Sequence, residues 1–191
     1  QSLVTAGVTQ LEVSGSPVSL SLNQMALQSI LSQADGDITI GMAPATGLSP
    51  LAQSIIGNRP VYKITISYTD KNGKTQNITS FGNGGAGLAI PYTPGANETL
   101  GYLFGVYVDE KGNASRIPGS YYDGKIQRIL IPTSHLSVYG VGYGAPSARF
   151  TDVANHWAKD SINYVVGRGL FNGTSETAFA PNAPMTRGML V

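Results

Sequence analysis

The stretch PVYKITISYTDKNGKTQNITSF, residues 60–81, decides the fold. Tyr62, Ile64, Ile66 and Tyr68 occupy alternate positions, the period-2 pattern of a strand with one face buried. Asp70-Lys71-Asn72-Gly73-Lys74 follows, and a β-like run continues to Phe81. Asn-Gly between such runs predicts a tight hairpin, because both residues tolerate positive φ. The same Asp-x-Asn-Gly string also hints at a calcium loop, but the further oxygen ligands and the downstream bidentate acid of that motif are missing, so a hairpin turn is the preferred reading.

Working upstream, Val18, Leu20 and Leu22 alternate as a strand. Asn23 then caps a short helix carrying Leu27, Ile30 and Leu31 at helical spacing. Asp35-Gly36 makes a turn into a strand through Ile38, Ile40 and Met42. Ser49 as cap and Pro50 at the first helical position predict a second helix to about Ile56. Residues 1–16 carry no strong period. Downstream, Leu88, Ile90 and Tyr92 alternate. Tyr102 to Val108 is apolar on both faces and reads as the central buried strand. Asp109–Asn113 and Asp123-Gly124 turn the chain, and Ile129, Ile131, Leu136 and Val138 supply the last strands. Turn signals at this spacing predict a mainly β, sandwich-like module with one or two short helices.

Composition narrows the function classes. Of 191 residues, 41% are apolar, enough for a packed core, and only 12% are charged. The net charge of +1, with basic residues scattered singly, gives no case for nucleic acid or an anionic membrane. No run approaches the length of a membrane span, and no signal-peptide pattern starts at Gln1, so any such leader has been removed or the chain is cut from a longer one. Cysteine is absent, which excludes disulfides and thiolate chemistry. Two histidines limit metal and acid–base chemistry, and no metal site, cofactor or catalytic residue is expected. High Gly, Tyr, Ser and Thr with low charge suggests a β-rich extracellular module.

Gly144-Ala-Pro146-Ser-Ala148 is small and turn-prone, and predicts a boundary: a β-rich module over 1–145, a linker over 146–149 and a helical unit over 150–191. In that last unit the period becomes 3.6. Asn155 serves as N-cap, Ala158, Ile162 and Val165 line one face with Trp157 and Val166 flanking, and Gly167 and Gly169 end the helix. Thr186 starts a second helix.

Residues 150–191 resemble the S-layer homology (SLH) module. The resemblance rests on Phe150-x-Asp152-Val153, His156-Trp157-Ala158, Ile162, Gly169-Leu170-x-x-Gly173, Phe179-x-Pro181-Asn182 and Met185-Thr186-Arg187. It implies a helix–loop–helix unit, here partial, that anchors surface proteins to secondary cell-wall polysaccharide or a peptidoglycan-linked glycan, at an extracellular, bacterial cell-surface location. By the same resemblance, Asp152, Trp157 and Arg187 are the polysaccharide-binding candidates. A guanidinium at Arg187 suits a ketal carboxylate bidentately, and an aromatic face suits a sugar ring. Gly188 and Met189 follow Arg187 where the family commonly has Ala-Glu, so contacts of that Glu do not carry over. More loosely, residues 17–143 resemble the β-rich module that precedes SLH repeats, through Arg59-Pro60-Val61-Tyr62, Ile90-Pro91-Tyr92, Val106-Tyr107-Val108-Asp109 and His135-Leu136-Ser137-Val138-Tyr139.

The expectation is a non-enzymatic surface protein with a spacer or display β-module attached to a truncated SLH segment that anchors non-covalently in the full-length protein. Two alternatives remain beside it. His135-Leu136-Ser137 matches the triplet of self-cleaving β-domains, in which His135 would take the proton of Ser137; the bland reading is an ordinary strand end. Alternatively the β-module binds carbohydrate itself, with ten tyrosines as stacking surface. For Trp157, core packing with partial exposure is favoured over a sugar platform. An apolar helix face left open would favour self-association.

Overall fold

The computed structural model describes residues 7–15 and 17–185. Among these residues, eleven strands form two antiparallel sheets, with three short α-helices and one 3-10 turn at Leu100–Tyr102. The first sheet runs β1 (Gln10–Ser14), β2 (Ser19–Asn23), β6 (Ala86–Pro91), β10 (Arg128–Thr133), β9 (Tyr121–Asp123). The second runs β3 (Ile38–Pro44), β4 (Val61–Thr69), β11 (Val138–Tyr143), β7 (Leu103–Val108), β8 (Ala114–Arg116). Strand β5 (Thr75–Ile78) pairs with the far half of β4.

The deciding hairpin forms as its sequence dictates. Thr69 faces Thr75 and Ile66 faces Ile78 across the Asp70–Lys74 corner, where Gly73 has φ 76°. The inward residues of both sheets meet in one cluster: Leu20, Leu22, Leu88, Ile90, Ile129 and Ile131 from the first, Ile64, Ile66, Ile78, Leu103, Tyr139 and Val141 from the second. Period-2 patterning thus places one apolar row of β2, β4, β6 and β10 in the core, where each large side chain contributes about 1.5–3 kcal/mol by leaving water.

Helix α1 (Gln24–Gln33) closes one side of this core with Ala26, Leu27 and Ile30. Its cap residue does double duty: Asn23 Oδ1 accepts from Ala26 N at 2.9 Å and from Gly85 N at 3.0 Å. The glycine loop must lie close here, since a Cβ on Gly84 would stand 2.3 Å from Ala26 N. Helix α2 (Pro50–Ile56) begins at Ser49, whose Oγ accepts from Ala52 N and donates to Gly112 O. Ala52 and Ile56 cover Phe104, Val106 and Val108.

That cover corrects one expectation. Strand β7 is buried on both faces, yet the middle of its sheet belongs to β11; β7 is doubly buried because α2 shields its outer face. Strands β1, β8 and β9 had no counterpart in the sequence reading. The last two have three residues each, too few to display a period.

Candidate functional site

The chain after β11 folds as a turn-rich unit around Phe150, Val153 and Ile162, with Ala158, Val166 and Phe179 packed against them. Its helix α3 spans Lys159–Gly167 and is preceded by Ala158. The expected N-cap, Asn155, lies three residues earlier, in a series of turns (Phe150 O to Val153 N, Val153 O to His156 N, His156 O to Lys159 N). Gly169, at φ 69°, turns the chain at the end of α3.

Two glycine and aspartate positions explain the local fold. A Cβ on Gly173 would stand 2.3 Å from the Phe150 ring, so only glycine lets the loop lie flat on that ring. Phe150 meets Phe179 at 5.4 Å between ring centroids. Asp152 joins the two ends of the unit: Oδ1 accepts from Phe179 N at 3.0 Å and Oδ2 from Ala180 N at 2.7 Å. These two backbone donors hold its carboxyl below the usual range. They also fix Ala180 at φ 59°, a left-handed conformation that alanine adopts at a cost of about 1–2 kcal/mol.

His156 organises the neighbouring turn. Its Nδ1 accepts from Ala158 N at 3.1 Å, which places the proton on Nε2, 3.2 Å from Asn182 Oδ1. Trp157 stands beside it, 5.6 Å between ring centroids, and is 90% exposed. The expectation of core packing is therefore wrong. Trp157 precedes α3 instead of lying on its buried face, so no apolar row shelters it. Arg187, and Thr186 as the start of a second helix, lie outside the described residues.

The unit is seated on the β-sheets by polar and cationic contacts. Buried Asn163 accepts from Ser147 N at 2.9 Å and donates to Tyr102 Oη at 3.1 Å. Pro146 and Ser147 are themselves buried. Gly167 packs beside Pro146 and the guanidinium of Arg116. Arg116 lies 4.2 Å over the Phe104 ring, and burial, with the charge of Arg149, brings its pKa down to about 10. Arg168 sits 4.7 Å over Tyr121 of β9. None of these contacts had a sequence signal, because each joins distant elements through a single side chain.

At the other candidate site, Ser137 Oγ donates to Val108 O at 3.0 Å, and Ser137 O accepts from Ile64 N at 2.9 Å. The His135 ring stands edge-on to Tyr107 at 4.9 Å. The His135 carbonyl accepts from Thr133 Oγ1 and Tyr139 Oη, and burial pushes the Tyr139 hydroxyl up to about 12. Gln127 and Ala180 are the non-glycine residues at positive φ among those described, so the triplet carries no such backbone strain. Ser137 and Leu136 line a cleft of about 620 Å³ beside Lys63, Thr65 and Asn77, at the point where the edge of β4 passes from β11 to β5.

The turn acids are engaged within their own hairpins. Asp70 accepts from Asn72 N, Lys74 N and Gln76 Nε2, and Asp109 from Lys111 N, Asn113 N and Asn113 Nδ2. The hairpin reading of Asp70–Gly73 stands. No helix among the described residues is long and apolar enough to cross a membrane.

Fold and site together define a two-sheet β protein bearing a small helical unit tied by an aspartate latch. That unit is an S-layer homology domain: the family's model matches residues 149–188, and the chain is an SLH domain-containing protein. SLH domains are non-catalytic cell-wall anchoring modules of surface proteins, which associates this chain with the cell surface. No curated protein and no solved structure matches the chain.

Proposed function

We propose that the protein is a non-enzymatic bacterial surface protein. Its SLH domain anchors non-covalently to secondary cell-wall polysaccharide, and its β-module, residues 1–145, serves as spacer or display unit. The SLH match at 149–188 carries this reading. The 90% exposure of Trp157 supports a ligand role for its indole face, since a large exposed aromatic is more readily explained by a partner than by packing. In this proposal Trp157 stacks on a sugar ring and Arg187 pairs with an acidic substituent. Asp152 contributes by positioning the segment at Phe179 and Ala180, besides any contact of its own.

Co-sedimentation with purified wall sacculi tests it. The protein is expected to pellet, to be released by free secondary wall polysaccharide, and to lose roughly tenfold in affinity on Trp157→Ala or Arg187→Ala, as at an interface hot spot. Pelleting indifferent to both substitutions and to the competitor, or no pelleting at all, overturns the proposal.

A further inference from the structure

The outer face of the first sheet is concave, forming a groove of about 920 Å³. Strand alternation sets its chemistry. Ladder registers align Glu12, Ser21, Gly87 and Pro132 in one row across the sheet. The next row is Ser14, Ser19, Ala89, Leu130 and Tyr121. The middle strands β2 and β6 therefore contribute only small side chains, which makes the floor. One wall, on β1, is polar, with Gln10, Glu12 and Ser14; the other, on β9, β10 and the turn between them, is apolar and aromatic, with Tyr121, Leu130 and the exposed Ile126.

The floor is also closely fitted. Ser21 Oγ donates to Gly87 O, and a Cβ on Gly87 would stand 2.7 Å from Ser21 Oγ. Arg128 lies along it, its Nη1 donating to Ala89 O at 3.1 Å and Ser19 Oγ at 3.3 Å. Arg168, from the end of α3, covers one side of the Tyr121 ring at 4.7 Å and so holds the aromatic wall in place.

We propose that this groove binds a neutral oligosaccharide, through the hydroxyl-lined floor and the Tyr121 wall. Three observations select that occupant. The lining carries one carboxylate and one guanidinium, Glu12 and Arg128, so a neutral ligand matches it better than a phosphate chain or a polyacidic glycan. The groove lies on a sheet face, where backbone groups are spent in the ladders, so a peptide cannot gain the main-chain hydrogen bonds of an added strand. A pyranose has an apolar C–H face and a rim of hydroxyls, which fits one apolar aromatic wall opposite one polar wall. Trp157 is not among the residues that line this groove, so its substitution tests the SLH reading without touching the groove.

The test is titration of the whole chain by two-dimensional NMR with a panel of neutral β-linked tri- to pentasaccharides of glucose, mannose, galactose and N-acetylglucosamine. A polygalacturonate oligomer serves as the anionic comparison. Saturable shifts are expected at Ser21, Gly87, Ala89 and Leu130 with at least one neutral member. Affinity is expected to fall at least about tenfold on Ser21→Tyr, which fills the floor, and on Tyr121→Ala. Glu12→Gln, an exposed change on an edge strand, keeps the fold intact and is expected to weaken binding severalfold. Trp157→Ala is expected to leave these shifts unchanged. No saturable shift with any neutral member, preference for the acidic oligomer, or shifts indifferent to all three groove substitutions would each overturn the proposal.

Discussion

Aspartate followed three residues later by glycine occurs at two hairpin corners, Asp70–Gly73 and Asp109–Gly112. Each carboxylate collects two backbone N–H groups and one side-chain amide, and each glycine sits near φ 80° (76° and 80°). The sequence signal for both corners was strong because the same residues supply the donor geometry and the positive φ. Their surroundings differ in a way no local string reveals. Gly73 has nothing within 4 Å of a hypothetical Cβ, whereas on Gly112 that atom would stand 2.9 Å from Ser49 Cβ. Gly73→Ala should therefore cost only the left-handed penalty, about 1–2 kcal/mol. Gly112→Ala should cost at least about 1 kcal/mol more, through overpacking against the cap of α2. Denaturant midpoints of the two variants check this, and equal losses would mean that the Ser49 contact yields freely. Asp152 is the opposite case: its type and position were legible as an SLH signature, but not the two amides it holds, which lie 27 and 28 residues away. Asp152→Ala should expose the Phe179 and Ala180 amides to hydrogen exchange, while Asp152→Asn, keeping one acceptor oxygen, should leave one of them protected. Unchanged protection in Asp152→Ala would show that the Phe150–Phe179 contact alone holds the loop.

Elements of six or more residues with a clear pattern were readable: β3, β4, β6 and β10 by alternation, β7 by its continuous apolar run, and α1 and α2 by their caps Asn23 and Ser49. Five-residue β2 also showed, because Val18, Leu20 and Leu22 are all apolar. Five-residue β1 did not, since its Leu11 and Val13 lie in a polar, small-residue context and gain their meaning only by pairing with Leu22 and Leu20. The helix of the SLH domain was placed too early, because the spacing of Ala158, Ile162 and Val165 does not reveal that Phe150–Ala158 is consumed by successive turns. Glycines inside strands told less than they contain. Gly105 of β7 reads as a weak strand residue, yet a Cβ there would stand 2.5 Å from Ile131 of the opposite sheet and 3.0 Å from Ser120. It marks a place where β7 lies close against β10 of the other sheet, and its N–H donates to Ser120 Oγ at 2.9 Å. Gly105→Ala should lose about 1–3 kcal/mol by overpacking, despite alanine's better strand propensity. Thermal unfolding measures it; a neutral or stabilised variant would show that the two sheets separate at little cost.

For the whole molecule, the acid–base balance is set by carboxylates that work in the folded state. Glu98 is the most enclosed of them, its side chain 12% exposed. It accepts from Arg59 Nε at 2.8 Å, Tyr92 Oη at 2.6 Å and Gly95 N at 2.9 Å, and Arg59 in turn lies 4.9 Å over the Tyr143 ring. This cluster fastens the loop between β6 and β7 onto the end of β11 and the approach to β4. Burial works against ionisation of Glu98, but the hydrogen bonds from Tyr92, Gly95 and Arg59, with the guanidinium charge, outweigh it and hold its pKa below the usual glutamate value. Asp70, Asp109 and Asp152 are lowered as well, by side-chain and backbone donors. All four shifts have one sign: the folded state binds protons less readily than the unfolded chain. Their stabilisation is complete above the unfolded values, about 3.9 for Asp and 4.3 for Glu, and is lost as pH falls through the lower folded values. The melting temperature should therefore be nearly flat from neutral pH down to about 5 and drop steeply below about 4. Glu98→Gln should lose on the order of 2 kcal/mol at neutral pH, because it leaves Arg59 without its charge partner, and should show a shallower acid drop than the parent. A melting temperature that rises on acidification, or an acid limb unchanged in Glu98→Gln, would mean that the Arg59–Glu98–Tyr92 cluster does not contribute to the acid response and that the exposed turn acids carry it alone.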